Sequence, residues 1–497
     1  MTKKICVSDI VLCCILFFLP FIHVNIGLSV ADQGYNLANF EAFPDMNQTW
    51  MVATLVANIV GKIFTFLPFG HSMLGMNVYC TLLLSAVSIA IFLILKKDYN
   101  KYAVFTGLII AISFSWAPKV TLYQYLSYYL FCVATMVLVK GLQKGKRKML
   151  YIAGVILGIN LFVRFPNVLQ CALILVVIAA AFLYKKKMKD ALKDIGICIA
   201  GYATVALPVI VSLELIYGSG TYAGMVKSLF AMTESATSYT PFAMFYAMYS
   251  SYITNFKWFG WFLVEAVAAT VLYGFLKKKW MKYSAYAVMA LVFLVILRVY
   301  WYWGILNIQY TTYNSVYIWG VCFLLLGILT LLFALFKKKT VKEKKLYALG
   351  GLIIILITPL GSNNALYSNY NNLYLVAPIV IGSLADLLLR FLRKEDGSKK
   401  IWHLSPAPAV AVSFMLIGIV FVQTFLFHIF FVFGDAGIDG NKKVMVEGNH
   451  RLAGILTTQD NAEEFTGLTA FLYEEQVQGR ECIVWSHSPI IYYAMEL

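Results

Sequence analysis

The feature that most constrains this chain is a series of apolar runs of about twenty residues, separated by short lysine clusters. A bilayer span needs about 20 mostly apolar residues. Only 13% of the residues are charged, against about 25% in soluble domains. The sequence therefore predicts an all-α polytopic membrane protein with about 13 transmembrane helices. The predicted spans are residues 9–30, 74–95, 102–117, 120–139, 149–163, 167–184, 195–217, 258–276, 283–300, 315–336, 346–360, 372–392 and 407–433.

The basic residues predict how these spans are oriented. One set of loops and span ends carries 30 of the 40 Lys and Arg residues but only 8 of the 24 acidic residues. Lys and Arg concentrate in cytoplasmic loops, so we expect a cytoplasmic N-terminus and an extracytoplasmic C-terminus. The lysine-rich, arginine-poor composition is typical of a bacterial plasma-membrane protein. Since the charge lies at span ends, the net charge of +16 indicates a lipid bilayer as partner and no nucleic acid.

Three segments on the predicted outer side are long, namely residues 31–73, 218–257 and 434–497. They divide the chain into a membrane domain, 1–433, and a C-terminal segment, 434–497. Within that segment, residues 457–473 predict a capped amphipathic helix and residues 481–485 a buried strand. One α/β unit cannot close a core of its own. We therefore expect either a truncated extracytoplasmic domain or a small appendage docked on the membrane domain.

Residues 50–67 form an apolar stretch that either crosses the membrane or lies flat on its outer surface. A crossing would invert every later loop against the charge rule. Thr54, Asn58 and Lys62 recur every four residues and form one polar stripe on a helix. This pattern favours an interfacial helix. A stripe that faces other helices within a span is the alternative.

Asp32 follows the first span directly, at the predicted outer membrane surface. A carboxylate in such a low-dielectric position has a tunable protonation state. It is therefore a candidate general base that accepts a proton from a hydroxyl nucleophile. A solvated loop acid, or a residue that caps the following helix, is the simpler interpretation.

The first outer loop and a later hairpin resemble a known superfamily. The sequence Asp32-Gln33-Gly34-Tyr35 follows the first span, and the predicted interfacial helix runs into Leu67-Pro68-Phe69-Gly70. Residues 154–166 combine a helix rich in small residues with Arg164 and Pro166. The chain resembles the GT-C superfamily of membrane glycosyltransferases in these features. It also resembles that superfamily in its odd number of spans and its outer C-terminal segment. That superfamily includes the protein O-mannosyltransferases and the aminoarabinose transferases of lipid A.

The resemblance implies a function and a set of acids. It implies a polyprenyl-phosphate-linked sugar donor, a glycan, lipid or protein acceptor, and Asp32 as the catalytic acid of the first loop. A second acid is often adjacent in the family, whereas here the neighbour is Gln33, so Glu41 or Asp45 takes that role instead. Some relatives bind a divalent metal through such acids. The resemblance therefore leaves a metal cofactor open and names no ligand set for it.

A leaving phosphate needs cations near the outer membrane surface. The candidates are Lys62, Lys119, Arg164 and Arg298, and Arg binds phosphate through a bidentate fork. Snorkelling towards lipid headgroups explains each of them equally simply. Asn363 and Asn364 lie in an amide-rich loop that suits sugar hydroxyls or pyrophosphate, although turns also favour Asn. Glu265 is an intramembrane acid, and such acids are functional or paired with a neighbouring helix.

Three functions remain open from the sequence. The leading one is a GT-C-like transferase that moves a sugar from a polyprenyl-phosphate donor to an acceptor on the extracytoplasmic side. The second is a lipid-linked oligosaccharide flippase or transporter, a class that commonly carries internal repeats and midplane charges. The third is a polysaccharide polymerase or ligase, which would share the same outer site.

Overall fold

The computed structural model describes residues 7–235, 240–276, 278–362, 364–392, 406–435, 443–477, 483–484 and 487–496. Two short strands, β1 Val444–Met445 and β2 Leu456–Thr457, pair antiparallel. The helices in chain order are α1 Val7–Phe18, α2 Asp32–Ala42, α3 Gln48–Ala53, α4 Leu55–Thr65, α5 Met73–Leu95, α6 Lys101–Phe114, α7 Leu122–Lys144, α8 Arg147–Leu161, α9 Ile174–Leu183, α10 Met188–Tyr217, α11 Thr221–Ser235, α12 Pro241–Phe275, α13 Lys279–Tyr302, α14 Tyr317–Phe336, α15 Lys342–Ile357, α16 Tyr367–Tyr370, α17 Val376–Leu392, α18 Ala407–Phe430, α19 Gln459–Glu474 and α20 Ile490–Ala494.

Among the described residues, nine helical segments are long and apolar enough to cross a bilayer. They are Met73–Leu95, Leu122–Lys144, Phe165–Leu183, Met188–Tyr217, Pro241–Phe275, Trp280–Tyr302, Tyr313–Phe336, Lys342–Gly361 and Ala407–Phe430. The other four predicted spans also contain helices, but these are shorter: α1 with its 3₁₀ extension to Phe21, α6, α8 and α17. The predicted all-α polytopic membrane fold with a small α/β tail is confirmed.

The first helix ends earlier than the sequence pattern predicts. A 3₁₀ turn containing Pro20 closes it at Phe21 instead of Val30. The backbone beyond it pairs with β2, because Gly27 N–H donates to Leu456 O at 2.8 Å and Leu456 N–H donates to Asn25 O at 2.9 Å. Apolar periodicity detects neither this pairing nor the proline stop.

The chain divides into two compact units, each with its own core. Unit 1 comprises residues 1–91, 116–241 and 430–497, and unit 2 comprises residues 92–115 and 242–429. In unit 2, α6 packs on α17, and α14 packs on α15. In unit 1, α8 packs between α7 and α10. A hydrophobic core of unit 1 joins the first loop to the C-terminal segment. It contains buried residues such as Leu37, Phe40, Leu452 and Ile490.

The stretch predicted to lie flat consists of two helices, α3 and α4, which meet at Thr54. At eleven residues, α4 is about 16 Å long, well short of the roughly 30 Å of a bilayer core. Its polar stripe faces protein, because Asn58 is buried and the Lys62 ammonium donates to Glu41 O at 2.7 Å. Its placement in the membrane interface stays a prediction.

The C-terminal segment contains the predicted amphipathic helix as α19. The Thr458 side chain accepts the backbone N–H of Asn461 and caps this helix. The strand expected at residues 481–485 lies mostly outside the described residues. Residues 218–257 contain α11 and the beginning of α12, and their position outside the membrane stays a prediction, as does the domain boundary at residue 433.

Candidate functional site

Asp32 is the first residue of α2, and its backbone is held by two hydrogen bonds. Its N–H donates to Ser29 Oγ at 3.3 Å, and its carbonyl oxygen accepts the Asn36 side-chain amide at 2.9 Å. No described residue makes a hydrogen bond or ion pair with the carboxyl group. The residue before the helix, Ala31, makes no side-chain cap. Burial raises the pKa of Asp32 above its ordinary value of 3.8, so the group binds a proton more readily than a solvated acid.

Gln33, the residue after Asp32, has a structural role. Its side chain is buried, and its Oε1 accepts the Ser29 backbone N–H at 2.6 Å. Asn36, one turn further, is also buried. These amides fix the turn that enters α2 and hold Asp32 at the start of the helix.

Tyr35 lies one helical turn after Asp32 on α2 and forms an aromatic cluster with Trp50 and Tyr123. The Tyr35 ring meets the Trp50 ring edge-to-face at 6.0 Å and the Tyr123 ring at 6.3 Å. Trp50 keeps 37% of its surface exposed. Aromatic rings with one free face bind apolar faces of ligands at little entropic cost. The cluster therefore has a partly exposed aromatic surface near the beginning of α2.

Three of the predicted cations, Lys62, Lys119 and Arg164, lie in unit 1, and the last two lie between helical segments. The Lys119 ammonium lies 5.5 Å from the centre of the Tyr125 ring, and desolvation lowers the pKa of Lys119 to about 8. Arg164 has an extended backbone and precedes the 3₁₀ stretch Phe165–Leu173. Its guanidinium interacts electrostatically with Tyr128.

Glu41 and Asp45 differ sharply in their surroundings. Glu41 Oε1 lies 2.6 Å from Arg451 Nη1 and 2.9 Å from His71 Nδ1. Its backbone oxygen also accepts the Lys62 ammonium, so both Glu41 and Lys62 are engaged in protein contacts. Asp45 is exposed three residues beyond the end of α2. Of the two carboxyl groups, that of Asp45 is the more exposed to solvent.

The remaining candidates lie in unit 2 or outside the described residues. Arg298 is exposed on α13, and the backbone N–H of Asn364 donates to Ser362 Oγ at 3.0 Å. Asn363 lies outside the described residues. Further along the loop, the Asn372 amide donates to Thr358 Oγ1 at 2.9 Å, inside the protein. Glu265 is buried in α12, and within the described part of the chain neither carboxylate oxygen has a hydrogen-bond partner.

A divalent metal requires several carboxylate or imidazole ligands that converge. In the described ranges, no group of three His, Cys, Asp or Glu side chains does so. Glu41 lies beside His71 but is also bound to the Arg451 guanidinium. A cation beside a ligand opposes metal binding. The three acids of the first loop do not fit a shared metal site.

The fold is similar to that of a solved membrane protein. No protein-family model and no curated protein matches the chain. The chain is similar to the archaeal oligosaccharyltransferase AglB from Archaeoglobus fulgidus, solved in complex with an inhibitory peptide and a dolichol-phosphate. The similarity has 13% sequence identity and a TM-score of 0.42, and it covers 85% of this chain and 56% of that one. A similarity of this degree supports no inference about activity.

Sequence reasoning missed a buried amide cluster around Arg164, formed by Ser127, Asn160, Asn167 and Gln170. The Asn167 side-chain amide donates to Ser127 Oγ at 2.7 Å and to Asn160 Oδ1 at 3.0 Å. The Asn160 amide donates to Gln170 Oε1 at 2.6 Å. The cluster brackets the helix break at Arg164. Three amides within eleven residues of an apolar run were the available signal.

Proposed function

We propose that this chain is a membrane glycosyltransferase of the GT-C type. It moves a sugar from a polyprenyl-phosphate-linked donor to an acceptor hydroxyl on the extracytoplasmic side, with Asp32 as general base. The observation that carries the proposal is the half-buried, unpartnered carboxyl of Asp32 beside an aromatic cluster, in the same unit as Lys119 and Arg164. Because this carboxyl is only half-buried and no described residue bonds to it, an acceptor hydroxyl can reach it without breaking an existing contact.

Each group has a definite part in the proposed reaction. The acceptor oxygen forms a bond to the anomeric carbon of the donor while its proton passes to the Asp32 carboxylate. The bond between the anomeric carbon and the phosphate oxygen breaks, and its electron pair leaves with the polyprenyl phosphate. Lys119 and Arg164 stabilise the charge on that phosphate. The aromatic cluster orients the sugar ring, and Asp45 binds an acceptor hydroxyl.

The raised pKa of Asp32 supports its role as base. A base works best when its pKa lies near the working pH, and burial shifts the pKa of Asp32 in that direction. Glu41 does not serve as the base in this mechanism, because Arg451 and His71 hold its carboxylate. Arg298, Asn363 and Asn364 belong to unit 2 by residue number, and we assign them no step in the reaction.

Release of polyprenyl phosphate by the purified, reconstituted chain tests the proposal. The chain is incubated with a panel of lipid-linked monosaccharides and with candidate acceptors. We expect the wild type to release polyprenyl phosphate, and Asp32→Asn to lower the rate by about 10²- to 10⁴-fold, as loss of a general base does. Asp460→Asn is the matched control, because Asp460 is an exposed acid in the first turn of α19. Equal rates in the wild type and Asp32→Asn would remove Asp32 from the chemistry.

A flippase of lipid-linked oligosaccharides is the second candidate, and Glu265 is the observation in its favour. Unpartnered acids inside membrane helices often serve transport. A flippase moves intact donor across liposomes without releasing polyprenyl phosphate, and Glu265→Gln would stop that movement. Release that depends on Asp32 and continues in Glu265→Gln would exclude this function.

A further inference from the structure

The C-terminal segment holds the backbone that leads into Asp32. Ile490 N–H donates to Val30 O at 3.2 Å, two residues before the candidate base. A Cβ placed on Gly34 would lie only 2.1 Å from the Ile490 backbone nitrogen. The beginning of α2 and α20 are therefore in backbone contact. Gly34, within the Asp32-Gln33-Gly34-Tyr35 sequence, is the residue that permits this approach.

A buried acid, Asp435, makes a second connection to the segment that leads into α2. Asp435 is fully buried as a side chain, and its Oδ1 accepts the Leu28 N–H at 3.3 Å and the Thr457 hydroxyl at 2.8 Å. The Lys443 ammonium lies 2.6 Å from its other oxygen. The segment before Asp32 is thus fixed to both β2 and the chain after α18.

Arg451 holds the other end of α2. Its Nη1 lies 2.6 Å from Glu41 Oε1 and also donates to His71 O at 3.0 Å. Its Nε donates to Glu496 Oε1 at 2.8 Å, and its guanidinium lies 5.5 Å from the centre of the Tyr493 ring. Only 12% of the Arg451 side chain is exposed. One guanidinium therefore joins the last turn of α2, the loop before α5 and the end of the C-terminal segment.

These connections matter because α2 is short. It has eleven residues, and isolated helices of that length are marginal in water. Its direction, and so the position of Asp32, depends on tertiary contacts at its two ends. Arg–carboxylate contacts fix geometry more strictly than Lys contacts, since the guanidinium is a rigid planar fork.

We propose that Arg451 is a positioning residue for Asp32, and that the C-terminal segment is a working part of the site in the first loop. The inference rests on the proposed function for its kinetic test. Arg451 touches neither donor nor acceptor. It holds α2 at Glu41 while α20 and Asp435 hold the other end, and together they keep the Asp32 carboxyl where the acceptor hydroxyl binds.

The kinetic test compares Arg451→Gln, Arg451→Lys and Glu41→Gln in polyprenyl phosphate release. We expect Arg451→Gln to lower kcat by about ten- to a hundredfold, because displacement of a reacting group costs rate. The KM for the donor should stay within about twofold, since donor binding is intact. Arg451→Lys should recover part of the loss. Glu41→Gln combined with Arg451→Gln should be little worse than Arg451→Gln alone, because the ion pair between Arg451 and Glu41 is already lost in that single variant.

A second measurement does not depend on activity. Lys62 is the only Lys or Arg in residues 31–73, and its ammonium is held by the backbone of Glu41. Loss of Arg451 should increase the fraction of molecules in which Lys62 is released from Glu41. Trypsin should therefore cut after Lys62 about tenfold faster in Arg451→Gln than in the wild type. Arg147→Gln is the matched control, because Arg147 pairs with Asp190 and Asp194 at the beginning of α8, away from α2.

The outcomes separate the two proposals. Unchanged kcat and unchanged cleavage after Lys62 in Arg451→Gln would overturn the positioning role. So would an equal loss of kcat in Arg147→Gln, which would indicate general destabilisation, or a loss confined to KM, which would indicate substrate binding. A wild-type chain that releases no polyprenyl phosphate would contradict the proposed function alone. Faster cleavage in Arg451→Gln would then still support the structural connection.

Discussion

At the scale of single residues, unit 1 contains two carboxyl groups with opposite surroundings. Asp435 is fully buried and accepts hydrogen bonds from Leu28 and Thr457 beside the Lys443 ammonium. Asp32 is half-buried, and nothing in the described part of the chain pairs with its carboxyl. A buried acid that serves the fold is satisfied by donors. This contrast supports the proposal that the Asp32 carboxyl takes part in chemistry and not in the fold.

The pH dependence of activity should report the pKa of Asp32. Burial raises that pKa above 3.8, and a general base acts only when ionised. We expect release of polyprenyl phosphate to rise as the pH rises through the raised pKa and then to level off. In Asp32→Asn this dependence should disappear along with most of the rate. An acidic limb that persists in the variant would show that another group controls it.

The Asp32→Asn variant should be at least as stable as the wild type at neutral pH, although it loses activity. A folded-state pKa above the unfolded one contributes stability at low pH, which is lost as the pH rises through the folded pKa. At neutral pH the ionised Asp32 therefore adds nothing to stability and carries the cost of desolvation. Asp32→Asn should leave the thermal unfolding midpoint at pH 7 equal or higher. A clearly lower midpoint would indicate that the carboxylate has a stabilising partner.

At the scale of elements, the contact between α2 and α20 depends on Gly34. A Cβ there would overlap the Ile490 backbone, and backbone cannot move aside as a flexible side chain does. Gly34→Ala should lower the free energy of unfolding by about 1–3 kcal/mol, as overpacking does. In Gly467→Ala, nothing lies within 4 Å of the new Cβ, so α19 should gain about 0.5–1 kcal/mol. Thermal unfolding of both variants checks the pair, and equal effects would contradict the contact.

The buried amide cluster should control the shape of the helix break at Arg164. Asn167→Ala removes the donors to Ser127 Oγ and Asn160 Oδ1, which costs about 1–3 kcal/mol when the acceptors stay buried. It should also weaken donor binding and raise the KM, because Arg164 loses its fixed position. Val168→Ala, a change at an exposed neighbour, is the control. A KM that stays at the wild-type value in Asn167→Ala would separate the cluster from Arg164.

The sequence predicted the elements that local patterns define. Apolar runs predicted the spans, and the capped, amphipathic pattern of residues 457–473 predicted α19, because each signal lies within one element. The pairing of Gly27 with Leu456 and of Glu41 with Arg451 joins positions more than 400 residues apart. No local pattern contains such pairings. Asp32 was predicted from its place after the first span, whereas the contacts that fix it were not.

At the scale of the whole molecule, the candidate residues divide between the two units. Asp32, Glu41, Asp45, Lys62, Lys119 and Arg164 belong to unit 1, which also contains the C-terminal segment. The proposed reaction uses groups of unit 1 alone. Unit 2 contains Glu265, whose carboxylate has no hydrogen-bond partner among the described residues. The chemistry therefore requires that the first loop and the C-terminal segment lie on the same side of the membrane.

That side can be measured with introduced cysteines. The charge rule places Lys338 in the cytoplasm and Asp460 outside it, and both residues lie in described parts of the chain. In intact cells, a membrane-impermeant maleimide should label Asp460→Cys about tenfold more than Lys338→Cys, over the background of the nine native cysteines. Permeabilisation should equalise the two. The reverse pattern would place the C-terminal segment in the cytoplasm. Asp32 would then lie there too, because Val30 and Ile490 are hydrogen-bonded. A donor presented at the outer face would have no access to it.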